Sequence, residues 1–476
     1  MPGDLRRPSS RRGLREGLLT ADAAAVDART SVWRGEYRSL SIGIVSLITL
    51  LAFEAIGTAT VMPVVATELD ALGGYTWAFN AYVVASLFAM VVGGLWSDAS
   101  GPRAPLIAGV ASLCLGAVVA GASVDLATLV AGRALQGIGG GLLIVAAYVL
   151  IARAFPVDLR AKAFSVLAAA WIIPSLVGPL IAGWLTDSAT WRLVFWLVPV
   201  LVLLPAFLLF PRLGAYQGGT PQARTRRRLV SGILATLALV AVQDGVLRLS
   251  LAGAVEAALG FAVLLVAVRQ LLPAGSLRFV RGLPTSVMMR GLIASAFFSA
   301  EVFVPLALVE TRGLTVTQAG MILATAAVMW ASGSYVQSRL PGDLDRSNAV
   351  RIGAAIVTVC LLTLPASVLT GLPPWIAAIS WAIGAFGMGL SIPSASVQVM
   401  RLSPESDLGR NSSAIQIVDS VMSVVVISVL GVGHAIAVAS GGATATTYAT
   451  LWCASAVVSI CAVLVAPRMR PLGLTV

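Results

Sequence analysis

Long apolar runs, each set off by a few polar or charged residues, fill most of the chain between residues 41 and 466. A helix crossing a bilayer needs about 20 mostly apolar residues, because a hydrocarbon core of ~30 Å is covered at about 1.5 Å per residue. Runs of that length fall near 41–64, 76–97, 104–122, 127–150, 163–186, 193–211 and 229–247, and again near 251–272, 286–309, 317–339, 350–370, 374–398, 412–437 and 446–466. The pattern predicts an all-α integral membrane protein of fourteen spans, with a very short turn around Arg248 to Ser250 between the seventh and the eighth.

Composition agrees with this reading. Hydrophobic residues make up 58% of the 476 and charged residues only 11%, against about 25% charged in a soluble domain. No stretch is left for a large soluble catalytic domain. The net charge of +11 would suggest nucleic acid in a soluble chain, but its placement follows the excess of basic residues expected on cytoplasmic loops. With the N-terminus inside, 28 of the 32 basic residues fall in cytoplasmic segments, Arg192, Arg248 and Arg312 fall outside, and Arg133 lies within a span. Both termini are therefore expected in the cytoplasm, and no nucleic-acid partner is implied. Residues 1–38 read as a disordered, arginine-rich cytoplasmic tail without a signal-peptide core, with Trp33 and Tyr37 as headgroup anchors and the arginines facing anionic lipid. Cys114, Cys360, Cys453 and Cys461 form no Cys-x-x-Cys pair and His434 is the single histidine, so no disulfide framework, metal or cofactor is indicated. Arginine outnumbers lysine 31 to one, which points through codon usage to a GC-rich bacterial genome and hence a bacterial plasma membrane.

The spacing also repeats. From Gly141 it is 12 residues to Arg153 and 15 to Pro156, and from Gly389 it is 12 to Arg401 and 15 to Pro404. The first span, ending at Pro63, resembles the ninth with Pro305. This predicts a tail at 1–38, a six-helix bundle at 39–212, a basic loop and two-helix insert at 213–283, a second six-helix bundle at 284–467 and a tail at 468–476. Paired repeats of this kind suit a transporter in which a central site is exposed by rocking one half on the other.

Charges within spans are costly and are functional candidates by default. Glu54 lies about 13 residues, roughly 20 Å, into the first span, and Arg133 about six residues, roughly 9 Å, into the fourth from the other side. The two are expected at similar depth and close enough to pair. Burial favours the neutral carboxyl and a facing arginine the ionised one, so a change in either switches proton affinity. Glu301 falls at comparable depth in the ninth span and Asp419 about two turns inside the thirteenth. Both are candidate secondary proton-coupling sites. His434, near an outer end, reads as an interfacial residue.

Together these residues resemble the major facilitator superfamily, and within it the fourteen-helix drug:proton antiporters, over essentially the whole of 40–467. Glu54, Thr58 and Pro63 match the family's first-span spacing, with Glu in place of the usual Asp. Trp77, Asn80 and Tyr82 are similar to the opening of its second span. Gly94, Asp98, Gly101 and Arg103 resemble its cytoplasmic gate loop, although Ala99 and Pro102 stand where basic residues are usual. Arg133, Gln136 and Gly137 resemble its arginine motif, and Gly178, Pro179 and Gly183 its antiporter motif. Trp191, Arg192 and Phe195 open the sixth span as the family does. The resemblance implies a proton-coupled exporter of lipophilic or cationic small molecules, a monomer in the bilayer that uses Glu54 with Arg133 for protons. It also implies a cavity lined by Trp77, Asn80, Tyr82, Gln136, Phe303 and Gln416. An exporter of an endogenous lipid or metabolite, or a non-transporting membrane binding protein, are the alternatives. No enzyme activity is expected, since no nucleophile, base and orienting acid converge.

Overall fold

A computed structural model of the chain describes residues 32–33, 35–211, 225–340, 346–404 and 407–470. Most of the expected tail at 1–38, the basic stretch 212–224 with Arg212 and Arg224, and the end of the tail at 471–476 lie outside the described residues. The described chain is helical, and no strand occurs among the described residues.

Among the described residues sixteen α-helices follow in order: α1 Arg38–Glu68, α2 Trp77–Ser100, α3 Arg103–Gly121, α4 Leu126–Ala154, α5 Val157–Ala169, α6 Ile172–Ser188, α7 Arg192–Leu209 and α8 Thr225–Leu247. The remainder are α9 Leu251–Leu271, α10 Leu283–Arg312, α11 Val316–Ser338, α12 Arg346–Thr363, α13 Ala366–Leu369, α14 Trp375–Leu402, α15 Leu408–Ala439 and α16 Ala445–Val465. Thirteen helical stretches among the described residues are long and apolar enough to cross a bilayer. The span expected at 163–186 is divided between α5 and α6, of 13 and 17 residues. The physical reason is Pro174, which cannot donate to the Ala170 carbonyl and crowds it, so the helix breaks at 170–171.

The same five pairings recur in the two parts of the chain. Helix α1 packs on α6 and α7, α4 on α2 and α3, and α3 on α7; correspondingly α10 packs on α15 and α16, α14 on α11 and α12, and α12 on α16. We call these the N-terminal group (α1–α7) and the C-terminal group (α10–α16). Between them α8 and α9 form a hairpin, and α8 lies against both α2 and α15.

Polar caps make the connecting turns short at the end of the molecule remote from the start of α1, here the distal end. Asp125 accepts from the Thr128 amide at 2.7 Å to start α4, and Ser250 accepts from the Gly253 amide at 3.1 Å to start α9. Thr315 with Gln318, and Thr444 with Thr447, form reciprocal caps on α11 and α16. The expected tight turn at 248–250 is present, with Leu249 in the left-handed region (φ 46°) and Arg248 paired to Asp244 and Glu256.

The two groups meet most closely toward this distal end. There Gly183 of α6 lies on Thr317 of α11, Gly320 of α11 on the Pro179 carbonyl of α6, and Gly431 of α15 on Thr76. A Cβ at Gly183 would stand 2.5 Å from the Thr317 Cα, so glycine here is a requirement of close helix approach. The Asp187 carboxylate crosses the seam and caps α11, accepting from the Thr317 amide at 2.9 Å and its hydroxyl at 2.6 Å. The Tyr75 hydroxyl donates to the Val302 carbonyl at 3.0 Å.

Candidate functional site

The centre of the N-terminal group is polar where its sequence is otherwise apolar. Glu54 is the seventeenth of the 31 residues of α1, close to its middle, and Arg133 points to it from α4. They are 1% and 3% exposed and form an ion pair through Glu54 Oε1 and one guanidinium nitrogen. The guanidinium also donates to Gln136 Oε1 at 3.0 Å and, through Nε, to the Ala78 carbonyl of α2 at 3.0 Å. Its plane sits over the Tyr82 ring, 4.6 Å from the centroid. Thr58 donates weakly to Glu54 Oε1 at 3.4 Å. Glu54 Oε2 and Gln136 Nε2 are buried with no partner among the described residues. One carboxylate oxygen is thus held and the other is open, an arrangement that can accept a proton without first breaking the bond to arginine.

The glycines of α4 make this arrangement possible. A Cβ at Gly137 would lie 2.2 Å from the Tyr82 carbonyl, and one at Gly140 would lie 2.3 Å from the Tyr82 hydroxyl. Without side chains there, α2 and α4 approach closely enough for Arg133 to reach the α2 backbone. The Gly137 to Gly141 run is therefore a packing surface.

A second charged cluster lies in the C-terminal group. Arg290, eight residues into α10, donates through Nε to Asp419 Oδ2 of α15 at 2.8 Å, through another nitrogen to Ser396 of α14, and to Gln416 at 3.5 Å. The side chains of Arg290 and Asp419 are 20% and 21% exposed, so this pair is part-exposed where the Glu54 pair is buried. Counting arginines by loop placed Arg290 at a membrane surface and missed its pairing; its position five residues inside the expected ninth span was the available signal. Glu301, in the same helix, is partly exposed and makes no hydrogen bond or ion pair among the described residues.

The other expected site residues are scattered. Trp77, Tyr82 and Gln416 are partly exposed, whereas Asn80, Gln136 and Phe303 are 0% exposed. In this conformation the last three pack and pair instead of lining a cavity: Asn80 joins the distal seam, Gln136 accepts from Arg133, and Phe303 belongs to an aromatic cluster. That cluster contains Tyr75, Phe303, His434 and Tyr448, with ring centroids 5.5 to 6.0 Å apart around His434. His434 is 1% exposed and its Nε2 has no partner among the described residues; it is a buried seam residue, not the interfacial one expected. Tyr448 donates to Glu310 beside it.

The gate-loop residues lie at the opposite, proximal end. Gly101 ends α2 with φ 83°, a conformation that favours glycine, and Asp98 and Arg103 are exposed and form no ion pair among the described residues. Arg153 instead donates to the Ser97 carbonyl at 3.2 Å. Of the antiporter-motif residues, Gly183 and Pro179 touch α11, while a Cβ at Gly178 would meet only α1, at Phe53 (3.6 Å) and Ile56 (3.8 Å), both ordinary contacts. No cluster of three or more potential metal ligands occurs among the described residues.

Comparison with known proteins fits this geometry. Residues 42–427 match the Major Facilitator Superfamily. The chain is 28% identical over 395 residues to an uncharacterised MFS-type transporter of Mycobacterium tuberculosis (strain H37Rv), covering 78% of this chain and 56% of that protein, so it spans little more than half the relative's length. It is 26% identical over 417 residues to the multidrug transporter protein MdtP of Bacillus subtilis, covering 83% of this chain and 76% of that one. Among solved structures, a POT family transporter in complex with 5-aminolevulinic acid shares the fold, with a TM-score of 0.69 at 13% identity over 92% of this chain and 98% of that one. The chain is a member of the major facilitator superfamily, with helices long and apolar enough to cross a membrane many times.

Proposed function

We propose that this protein is a proton-coupled antiporter that exports lipophilic or cationic small molecules by alternating access, with Glu54 as its proton carrier and Arg133 as the charge partner. The observation that carries the reading is the buried Glu54–Arg133 pair with Glu54 Oε2 left open. Protonating Glu54 removes the counter-ion of a buried guanidinium, and an uncompensated buried charge costs about 3–5 kcal/mol. Arg133 then gains by moving toward water or another acceptor, and because it also holds the α2 backbone, that movement reaches the helices around it. Moving a two-state carrier from one extreme to the other takes about 5.5 kcal/mol, so one proton supplies most of what is needed.

The same reading counts α5 and α6 together as one crossing, giving fourteen spans in two six-helix bundles with α8 and α9 inserted. It sets both termini and the proximal end in the cytoplasm of a bacterial cell, in keeping with the basic residues, and treats the monomer as the working unit. On this reading the distal contacts hold the outer gate shut. The part-exposed Arg290–Asp419 pair and Glu301 face the route of the substrate, and the name of the Bacillus relative supports the substrate class.

The test is movement of a fluorescent lipophilic cation by vesicles with and without an imposed pH gradient. Wild type should move the dye only with the gradient, and folded Glu54→Gln should lose that dependence. Gradient-driven movement that persists in Glu54→Gln would remove Glu54 from the proton path.

A further inference from the structure

The α8–α9 hairpin separates the two repeats in sequence, and a lipid-facing spacer would need only an apolar contact face. Gln243, near the distal end of α8, does not fit that description: it is 0% exposed, and all its hydrogen-bond partners belong to the two groups on either side. Its Oε1 accepts from the Asn80 amide of α2 and from the Ser428 hydroxyl of α15, and its Nε2 donates to the Thr76 hydroxyl ahead of α2 at 3.0 Å. Asn80 donates directly to the Ser428 hydroxyl at 3.1 Å. Gly431, one turn beyond Ser428, lets α15 approach so closely that a Cβ would lie 2.6 Å from the Thr76 hydroxyl.

The turn of α2 that Gln243 holds from one side is held by Arg133 from the other. Arg133 Nε donates to the Ala78 carbonyl, midway between Thr76 and Asn80. A continuous line of polar contacts therefore runs from Glu54 through Arg133, the backbone at Ala78, and Thr76 with Asn80, to Gln243 and Ser428. Arg133 loses its reason to stay at Ala78 when Glu54 is neutral.

We propose that Gln243 of the inserted hairpin is a latch that holds the distal gate shut, and that the charge on Glu54 is transmitted to this latch through Arg133 and the first turn of α2. When α2 and α15 part, Gln243 can keep the partners of one group only and leaves polar atoms of the other unsatisfied. The link to Glu54 rests on the proton-carrier reading above; the latch itself does not. Gln243 acts through its neighbours and touches no substrate, so it is a positioning residue.

The experiment measures the distance between spin labels at Gly73→Cys and Gly371→Cys, two exposed distal sites of the two groups where a Cβ meets nothing within 4 Å. The four native cysteines are replaced by alanine. Gln243→Leu should shift the ratio of distally closed to open protein by about 5- to 30-fold toward open, and the milder Ser428→Ala should shift it the same way by less. Combined with Glu54→Gln, the effect of Gln243→Leu should fall well short of additive. Unchanged distances in folded Gln243→Leu and Ser428→Ala would overturn the latch. Additive shifts would overturn the link to Glu54 and leave the latch standing. The proton reading fails by a different result, gradient-driven transport retained in Glu54→Gln.

Discussion

Replacing Gly183 by alanine places one methyl group where α6 and α11 touch. The added Cβ would stand 2.5 Å from the Thr317 Cα and 2.8 Å from its amide nitrogen, against about 3.5–4.0 Å for a comfortable carbon contact. Both neighbours are backbone, so no side chain can rotate away and the helices must separate by about 1 Å. Overpacking of this size costs about 1–3 kcal/mol. That cost falls on the state in which the groups meet distally, so the closed-to-open ratio should drop by about 5- to 150-fold. Gly178→Ala is the control, since its Cβ meets Phe53 at 3.6 Å and should leave the ratio unchanged. The family resemblance treats the two glycines alike, while the geometry separates them. Spin labels at Gly73→Cys and Gly371→Cys read the ratio directly. Equal effects of the two alanines, or no change with Gly183→Ala, would refute the assignment of this contact to the distal gate.

Asp187→Ala removes the carboxylate that caps α11 across the seam, and should weaken distal closure in the same distance measurement by a few-fold, as expected for loss of a cap of about 0.5–2 kcal/mol. Arg290→Ala strands Asp419, whose Oδ1 is already buried without a partner; because the pair is part-exposed, the loss in thermal stability in detergent should be about 1–3 kcal/mol, and restoring charge balance with Asp419→Asn should recover part of it. Trp191→Phe removes the 2.7 Å bond from the indole to Glu68, which also holds Arg192; because that carboxylate is exposed to nearly half, unfolding should become easier by only about 0.5–1.5 kcal/mol, with the spin-label distances unchanged.

The apolar pattern carried the helices because a span must satisfy its own backbone and present apolar side chains to lipid, which leaves a strong signal in one dimension. Depth counting along two spans brought Glu54 and Arg133 to the same level, where the structure joins them. Counting failed where a residue's role depends on partners in another helix. Arg290 looked like a boundary charge because the partner that holds it is 129 residues away. Gln243 gave no signal because a neutral amide in a span reads as tolerable until its three partners are seen. Phe303 looked like cavity wall and His434 like an interfacial residue, and both are seam packing, because nothing in the local pattern says which face of a long helix meets the other group. The span expected at 163–186 missed the break at 170–171, for which Pro174 was the available signal, whereas the glycines of α6 marked a close approach to the facing half without saying that α11 is the helix they meet.

The depth of the distal seam can be set against the work available from one proton. Across it run three hydrogen bonds at Gln243, one from Asn80 to the Ser428 hydroxyl, one from Tyr75 to the Val302 carbonyl and two from Thr317 to Asp187. Hydrogen bonds between helices in a bilayer contribute about 0.6 kcal/mol on average and up to about 1.7, which gives roughly 4 kcal/mol for the seam. On the proton-carrier reading, stranding Arg133 costs about 3–5 kcal/mol, so the two are matched. A much stronger seam would hold one state whatever the charge on Glu54, and a much weaker one would open without it. Removing seam bonds stepwise, as Tyr75→Phe, then Asp187→Ala, then Gln243→Leu, should therefore make the distal distances progressively less sensitive to Glu54→Gln until the triple variant stands open with either residue at 54. If the triple variant still closes and still responds to Glu54→Gln, the seam is held by apolar packing and these polar contacts do not set the equilibrium.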